Sequence, residues 1–187
     1  MSVAVNKSLP PTDMNETAQL IEPVLRYEPA YRRFLADYQA SGEKLVPFTL
    51  RLDCTDFSRY LDQLRGFSQG IDVPEQFGPH STYWLLTGDG EISGAINIRH
   101  RLTETMRIIG GHIGYGVAPK YRGQGHATLM LRLGLLKARA LGIDNALITC
   151  HKNNIGSAKV ALNNGAVFES EEQIDGEWVQ RYWVKIC

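Results

Sequence analysis

Residues 114–136 read Gly-Tyr-Gly-Val-Ala-Pro-Lys-Tyr-Arg-Gly-Gln-Gly-His-Ala-Thr-Leu-Met-Leu-Arg-Leu-Gly-Leu-Leu, and they constrain the fold more than any other stretch. A strand must end at Val117, because Pro119 has no N–H to give to a sheet. A leucine-rich helix must begin within a few residues, since Leu129, Leu131, Leu133, Leu135 and Leu136 run on to Gly142 without a break. Between them lie Arg122, Gly123, Gln124 and Gly125, followed by His126, Ala127 and Thr128 at the helix start. Glycines let successive backbone N–H groups face one point. A helix start adds unpaired amides and the positive end of its dipole. The product is a cradle for an anion the size of a diphosphate, with Arg122 as a charge able to fork onto phosphate. Two other glycine loops do not match. The dinucleotide fingerprint needs a third glycine where Thr128 stands, and the Gly-x4-Gly-Lys-Ser/Thr phosphate loop is absent.

The rest of the chain supplies layers for that turn. An apolar run at 20–25 reads as a first strand. Pro29 suits a helical first turn, with Tyr31, Phe34, Leu35 and Tyr38 at helical spacing as far as Gly42. Asp56 is an N-cap for a second helix bearing Tyr60, Leu61 and Leu64. Residues 66–80 are rich in Gly and Pro and read as a long loop. Strands at 82–87 and 91–99 form a hairpin, and a further strand runs over 112–117. The helix over 127–141 then leads to an apolar strand at 145–150 and a short helix at 155–163. A closing hairpin turns at Asp175 and Gly176. The expected fold is α/β (α+β): a mixed, mostly antiparallel sheet with one parallel crossover and flanking helices.

Composition narrows the function. Twenty Lys and Arg balance twenty Asp and Glu, so no bulk charge draws the chain to nucleic acid or an anionic membrane. No apolar run reaches the roughly 20 residues that span a bilayer, and the N-terminus lacks a signal-peptide core. Cys54, Cys150 and Cys187 form no Cys-x-x-Cys pair, so neither a disulfide framework nor a metal site is expected, and the thiols suit a cytoplasmic protein. At 187 residues the chain fits one domain over 19–187, behind a weakly ordered leader at 1–18.

The run from Val117 to Ala127 resembles the acetyl-CoA-binding signature of the GNAT N-acetyltransferase superfamily, with Arg122, Gly125 and Ala127 in its three defining positions. The strand ending at Cys150, then Asn154, Ser157 and the Asn164-Gly165 stop, resembles the family's second motif. Gly110 to Tyr115 further resembles a bacterial branch of predicted acetyltransferases. The likeness covers residues 82–186, the acetyl-CoA core; residues 19–81 match only in layout, as the substrate side. It implies a sheet in which the strands holding Val117 and Ile148 run parallel but splay apart, opening a gap for the pantetheine arm. It implies that Val117 bonds the pantetheine or thioester, that Arg122, Gly123, Gln124, Gly125, His126, Ala127 and Thr128 cradle the diphosphate, and that Asn154 and Ser157 hold the pantetheine side. Asn154 reads equally as a helix N-cap. The activity implied is transfer of acetyl from acetyl-CoA directly to a primary amine, small or peptidic, without nucleic acid or membrane. Homodimers are common in the family.

One position departs from the pattern: Ala161 stands where many members carry a tyrosine acid. That keeps a noncatalytic acyl-CoA sensor open as an alternative, beside an unrelated nucleotide-binding protein. The substitutes are His112, which reads as a base near neutral pH or as a strand histidine paired with a neighbouring strand's backbone, and Tyr115, which reads as an acid or as a packing residue. His126 reads as facing diphosphate or solvent, or as a base. Cys150 reads as a nucleophile or as a small buried residue. Arg99, His100 and Arg101 read as a carboxylate receptor or a solvated strand end. Phe67, Phe77, Tyr83 and Trp84 flank the long loop and read as a pocket wall or as core.

Overall fold

Alternating side chains divide the central strands between two cores. In a computed structural model, which describes residues 18–186, β2 (His80–Leu86) sends Tyr83 and Leu85 to one face and Trp84 to the other. The next strand, β3 (Ile92–Arg99), does the same with Ile96 and Ile98 against Ala95. The leader expected at 1–18 lies outside the described residues except for its last, and so does Cys187.

Two helices cover the Trp84 face. The first, α1 (Glu28–Ala40), buries Tyr31, Phe34, Leu35 and Tyr38, and α2 (Phe57–Ser68) buries Tyr60, Leu61, Leu64 and Phe67. Asp56 caps α2 as expected, its carboxylate accepting from the Arg59 N–H at 3.1 Å. Trp84 is fully buried and stacks on Tyr31 at 4.7 Å. Trp84 and Tyr83 are therefore core residues, Tyr83 on the opposite face. The first strand, β1 (Gln19–Ile21), is shorter than expected, because Pro23 follows it closely and a 3-10 turn forms at Leu25–Tyr27. The long loop shrinks at both ends, since α2 continues to Ser68 and β2 starts at His80.

The other face takes the leucine-rich helix, α4 (His126–Ala140), through Met130, Leu131 and Leu135. Before it come a short helix, α3 (Glu104–Ile108), which the sequence had not suggested, and β4 (Ile113–Val117). After it come β5 (Asn145–His151), α5 (Ile155–Asn163), β6 (Val167–Ile174) and β7 (Glu177–Lys185). The turn of the last hairpin puts Asp175 at φ 50° and Gly176 at φ 85°, the left-handed pair that a two-residue hairpin requires.

All described ladders are antiparallel, and they form two sheets ordered β1-β2-β3-β4 and β5-β7-β6. The parallel crossover survives as a fork. The His112 N–H donates to the Leu147 carbonyl at 2.7 Å, joining the beginnings of β4 and β5. Further along β4, Tyr115 reaches Ser157 in α5, the helix that follows β5, so the two strands run the same way. No backbone bond links them past the fork's closed end. No helix among the described residues is long and apolar enough to cross a membrane.

Candidate active site

The fork leaves two strand edges facing each other. Ala118 donates to Ser93 and His112 accepts from Arg99, so even-numbered residues of β4 pair with β3. Alternation then turns the backbone of Ile113, Tyr115 and Val117 away from β3, into the gap. On β5, Leu147 meets His112, so Thr149 and His151 face the gap from the other side while alternate residues pair with β7. Unpaired strand edges are what an extended arm would complete.

The glycine turn closes the open end. Gly123 lies at φ 72° and Gly125 at φ 85°, both in the left-handed region that favours glycine. Gly125 is the N-cap of α4. Its amide and those of His126, Ala127 and Thr128 donate to no acceptor among the described residues. Four unpaired amides at a helix start have the geometry that suits an anion.

The side chains of the turn are placed differently from the expectation. The Arg122 guanidinium, expected to fork onto phosphate, forks instead onto the Glu43 carboxylate at 2.7 and 2.9 Å. Its Nε donates to the Val117 carbonyl at 3.0 Å, so it ties the turn to the end of β4. Gln124 donates to the Lys120 carbonyl at 2.7 Å. His126 does not face solvent: it is buried beside Tyr121, and burial lowers its pKa. Glu43 carried no signal in the sequence, for it becomes relevant only when the chain returns to it.

His112 clasps the fork. Besides its backbone bond, its Nδ1 accepts from the Leu147 N–H at 2.9 Å. This bond assigns the ring proton to Nε2, which leaves no free lone pair for proton abstraction. Burial, then the charges of Arg99 and Arg107, lowers its pKa to about 4. Gly111 next to it has φ 60°, and a Cβ there would lie 2.4 Å from the Leu147 carbonyl oxygen, so the strands close only on glycine. The Gly110 N–H adds a bond to Thr149 Oγ1 at 2.8 Å.

Tyr115 and Ser157 meet across the gap. Their hydroxyls lie 3.0 Å apart, and the tyrosine also reaches the Ser157 carbonyl at 3.2 Å. Burial raises the Tyr115 pKa, so its hydroxyl stays protonated. Asn154 is the N-cap of α5, its Oδ1 accepting from the Ser157 N–H at 3.0 Å, which orients the serine. Cys150 is buried, and burial raises its pKa, the opposite of an activated nucleophile. Ala161 is fully buried in the core. Arg99 is buried as well, while His100 is half-buried on Ser81 at 2.9 Å.

Solved structures share this arrangement of elements. RimL, a ribosomal-protein alpha-N-acetyltransferase solved with coenzyme A, matches with a TM-score of 0.65 at 18% identity, over 91% of this chain and 94% of that one. MccE, a microcin self-immunity acetyltransferase solved with acetyl-CoA and AMP, matches with a TM-score of 0.65 at 18% identity, over 97% and 100%. RimJ of Mycobacterium smegmatis, solved with a CoA disulfide, matches with a TM-score of 0.65 at 19% identity, over 90% and 81%. No curated protein matches in sequence. The sequence matches the family described as Acetyltransferase (GNAT) domain over residues 16–167, most of the chain, and the chain belongs to that acetyltransferase family.

Proposed function

We propose that this protein is an N-acetyltransferase that moves the acetyl group of acetyl-CoA directly to a primary amine in a ternary complex, in the cytoplasm. The observation that carries the reading is the fork: two unpaired strand edges leading to four free amides at a helix start. The residues fit the cofactor. The amides from Gly125 to Thr128 would hold the diphosphate. The edges of β4 and β5 would hold the pantetheine arm. When bound, acetyl-CoA supplies an activated acyl group on a good leaving thiol.

The chain's own residues supply the rest. The Val117 N–H faces the gap as the donor for the thioester carbonyl. Its position is fixed by Arg122 Nε on its own carbonyl. Ser157 would hand its proton to the departing thiolate while Tyr115 passes its own to Ser157 through their 3.0 Å contact, and the phenol would then regain a proton from water. Tyr115 thus brings from β4 a phenol that α5 does not carry at Ala161. The amine sheds its proton to water, because Nδ1 of His112 is taken and His126 is buried.

Titration calorimetry with acetyl-CoA, CoA and ATP, followed by thiol release over an amine panel, tests the reading. Binding of both CoA species with amine-dependent thiol release is expected. CoA binding without release on any amine would make the protein a sensor, and ATP binding alone would make the turn a nucleotide site.

A further inference from the structure

Arg99 ends β3 and is only 7% exposed. A buried arginine is costly unless its donors are satisfied. Here Nη1 spends both hydrogens on the carbonyls of Gly110 and Gly111, at 2.9 and 3.0 Å. Nε is buried without a partner, and Nη2 makes no hydrogen bond among the described residues. No carboxylate of the described residues lies within ion-pair distance of the guanidinium. Burial alone lowers its pKa to about 10, with no acidic neighbour to offset it.

The free donors are the two that share one edge of the guanidinium plane. Parallel N–H groups on Nε and Nη2 match the two oxygens of a carboxylate. The carbonyl pair and the Phe77 ring, 5.6 Å away, hold that edge in place. Gly114 is half-exposed beside the outer nitrogens of the guanidinium, and a Cβ there would meet only Nη1 and Nη2, each at 3.9 Å. Gly114 sits between Ile113 and Tyr115, whose backbone groups face the fork. Two further orphaned atoms, Asn97 Oδ1 and His80 Nε2, belong to residues on the same face of the sheet.

We propose that the Nε–Nη2 edge of Arg99 anchors a carboxylate on the acceptor, which makes the acceptors small amino-carboxylic acids. This rests on the acetyl-transfer reading of the fork beside it. A single charge-assisted fork distinguishes a carboxylate from a neutral amide by about 10- to 100-fold.

The test compares kcat/KM for the free amino acids, their carboxamides and short peptides with free N-termini, by thiol release. Calorimetry of free amino acids into the CoA-loaded protein accompanies it. The wild type is expected to favour at least one acid over its carboxamide by ~10-fold or more. Arg99→Gln is expected to bring that ratio close to one while acetyl-CoA still binds. Arg99→Lys keeps the charge but loses the paired edge, and it retains part of the preference. If Arg99→Gln does not fold, the wild-type ratio and the lysine variant still decide. Turnover of amines without any preference for the acid overturns the proposal and leaves acetyl transfer standing. So does a preference unchanged in Arg99→Gln, or peptides that outpace every free amino acid. Amino acids that bind through Arg99, with no thiol release on any amine, support the anion site and sink acetyl transfer instead.

Discussion

His112 is where a catalytic and a structural role part most sharply, and pH separates them. Its imidazole has an ordinary pKa of 6.5 in the unfolded chain and one near 4 in the fold. The neutral form is thus favoured by folding, so stability is complete above pH 6.5 and falls as pH drops toward 4. Between pH 7 and pH 5 that single shift removes about 2 kcal/mol, from the ratio of proton binding in the two states. His80, buried and likewise lowered to about 4, removes about as much again, so these two histidines together account for about 4 kcal/mol of the wild type's loss over this range. In His112→Asn the amide oxygen can still accept from the Leu147 N–H, but nothing titrates. The variant is expected to lose about 2 kcal/mol less than the wild type over the same range. Urea unfolding of both proteins at pH 7 and pH 5 reads the difference directly. An equal loss in the two proteins refutes the argument that the fold holds His112 neutral. Thiol release across pH 6–9 completes the test: a variant that folds and binds acetyl-CoA yet has no turnover would make His112 the base.

Three further outcomes are expected. Gly125→Ala forces a side chain into φ 85°, at a cost of about 1–2 kcal/mol, so calorimetry should show acetyl-CoA binding about 5- to 30-fold weaker as the turn relaxes. Ser157→Ala and Tyr115→Phe should each lower kcat by ~10-fold or more with little change in acetyl-CoA affinity, and the double variant should be no slower than the serine variant, because the two hydroxyls act in series. Gly116→Ala would put a methyl 2.2 Å from the Val46 carbonyl oxygen and 2.8 Å from the Tyr38 hydroxyl, so its melting temperature should fall in line with a loss of about 3 kcal/mol.

The elements and the glycine turn were legible because they depend on neighbours in sequence. Helical spacing in α1 and α4, the Asp56 cap and the Asp175-Gly176 turn are local matters of backbone geometry. So are the left-handed glycines at 123 and 125. Side-chain roles were not legible where the partner is distant. Arg122 lies 79 residues from Glu43, and nothing in its own motif shows that its fork is already taken. Arg99, His100 and Arg101 read as a carboxylate receptor or a solvated strand end, and only strand alternation buries the first beneath Phe77. The short α3 escaped notice because a five-residue helix has too few turns to show a period.

The sequence by itself determined that a strand breaks at Pro119 into a glycine turn and a helix whose first amides are free, because φ preferences and missing N–H donors act within a few residues. Only the tertiary structure decided that β4 and β5 touch once, at His112 and Leu147, and then part. It also decided that Tyr115 meets Ser157 in the opening and that Arg99 is largely buried with two nitrogens unpaired among the described residues. Those outcomes depend on which segments of the chain are packed against each other, and no local preference encodes a contact made across forty or eighty residues.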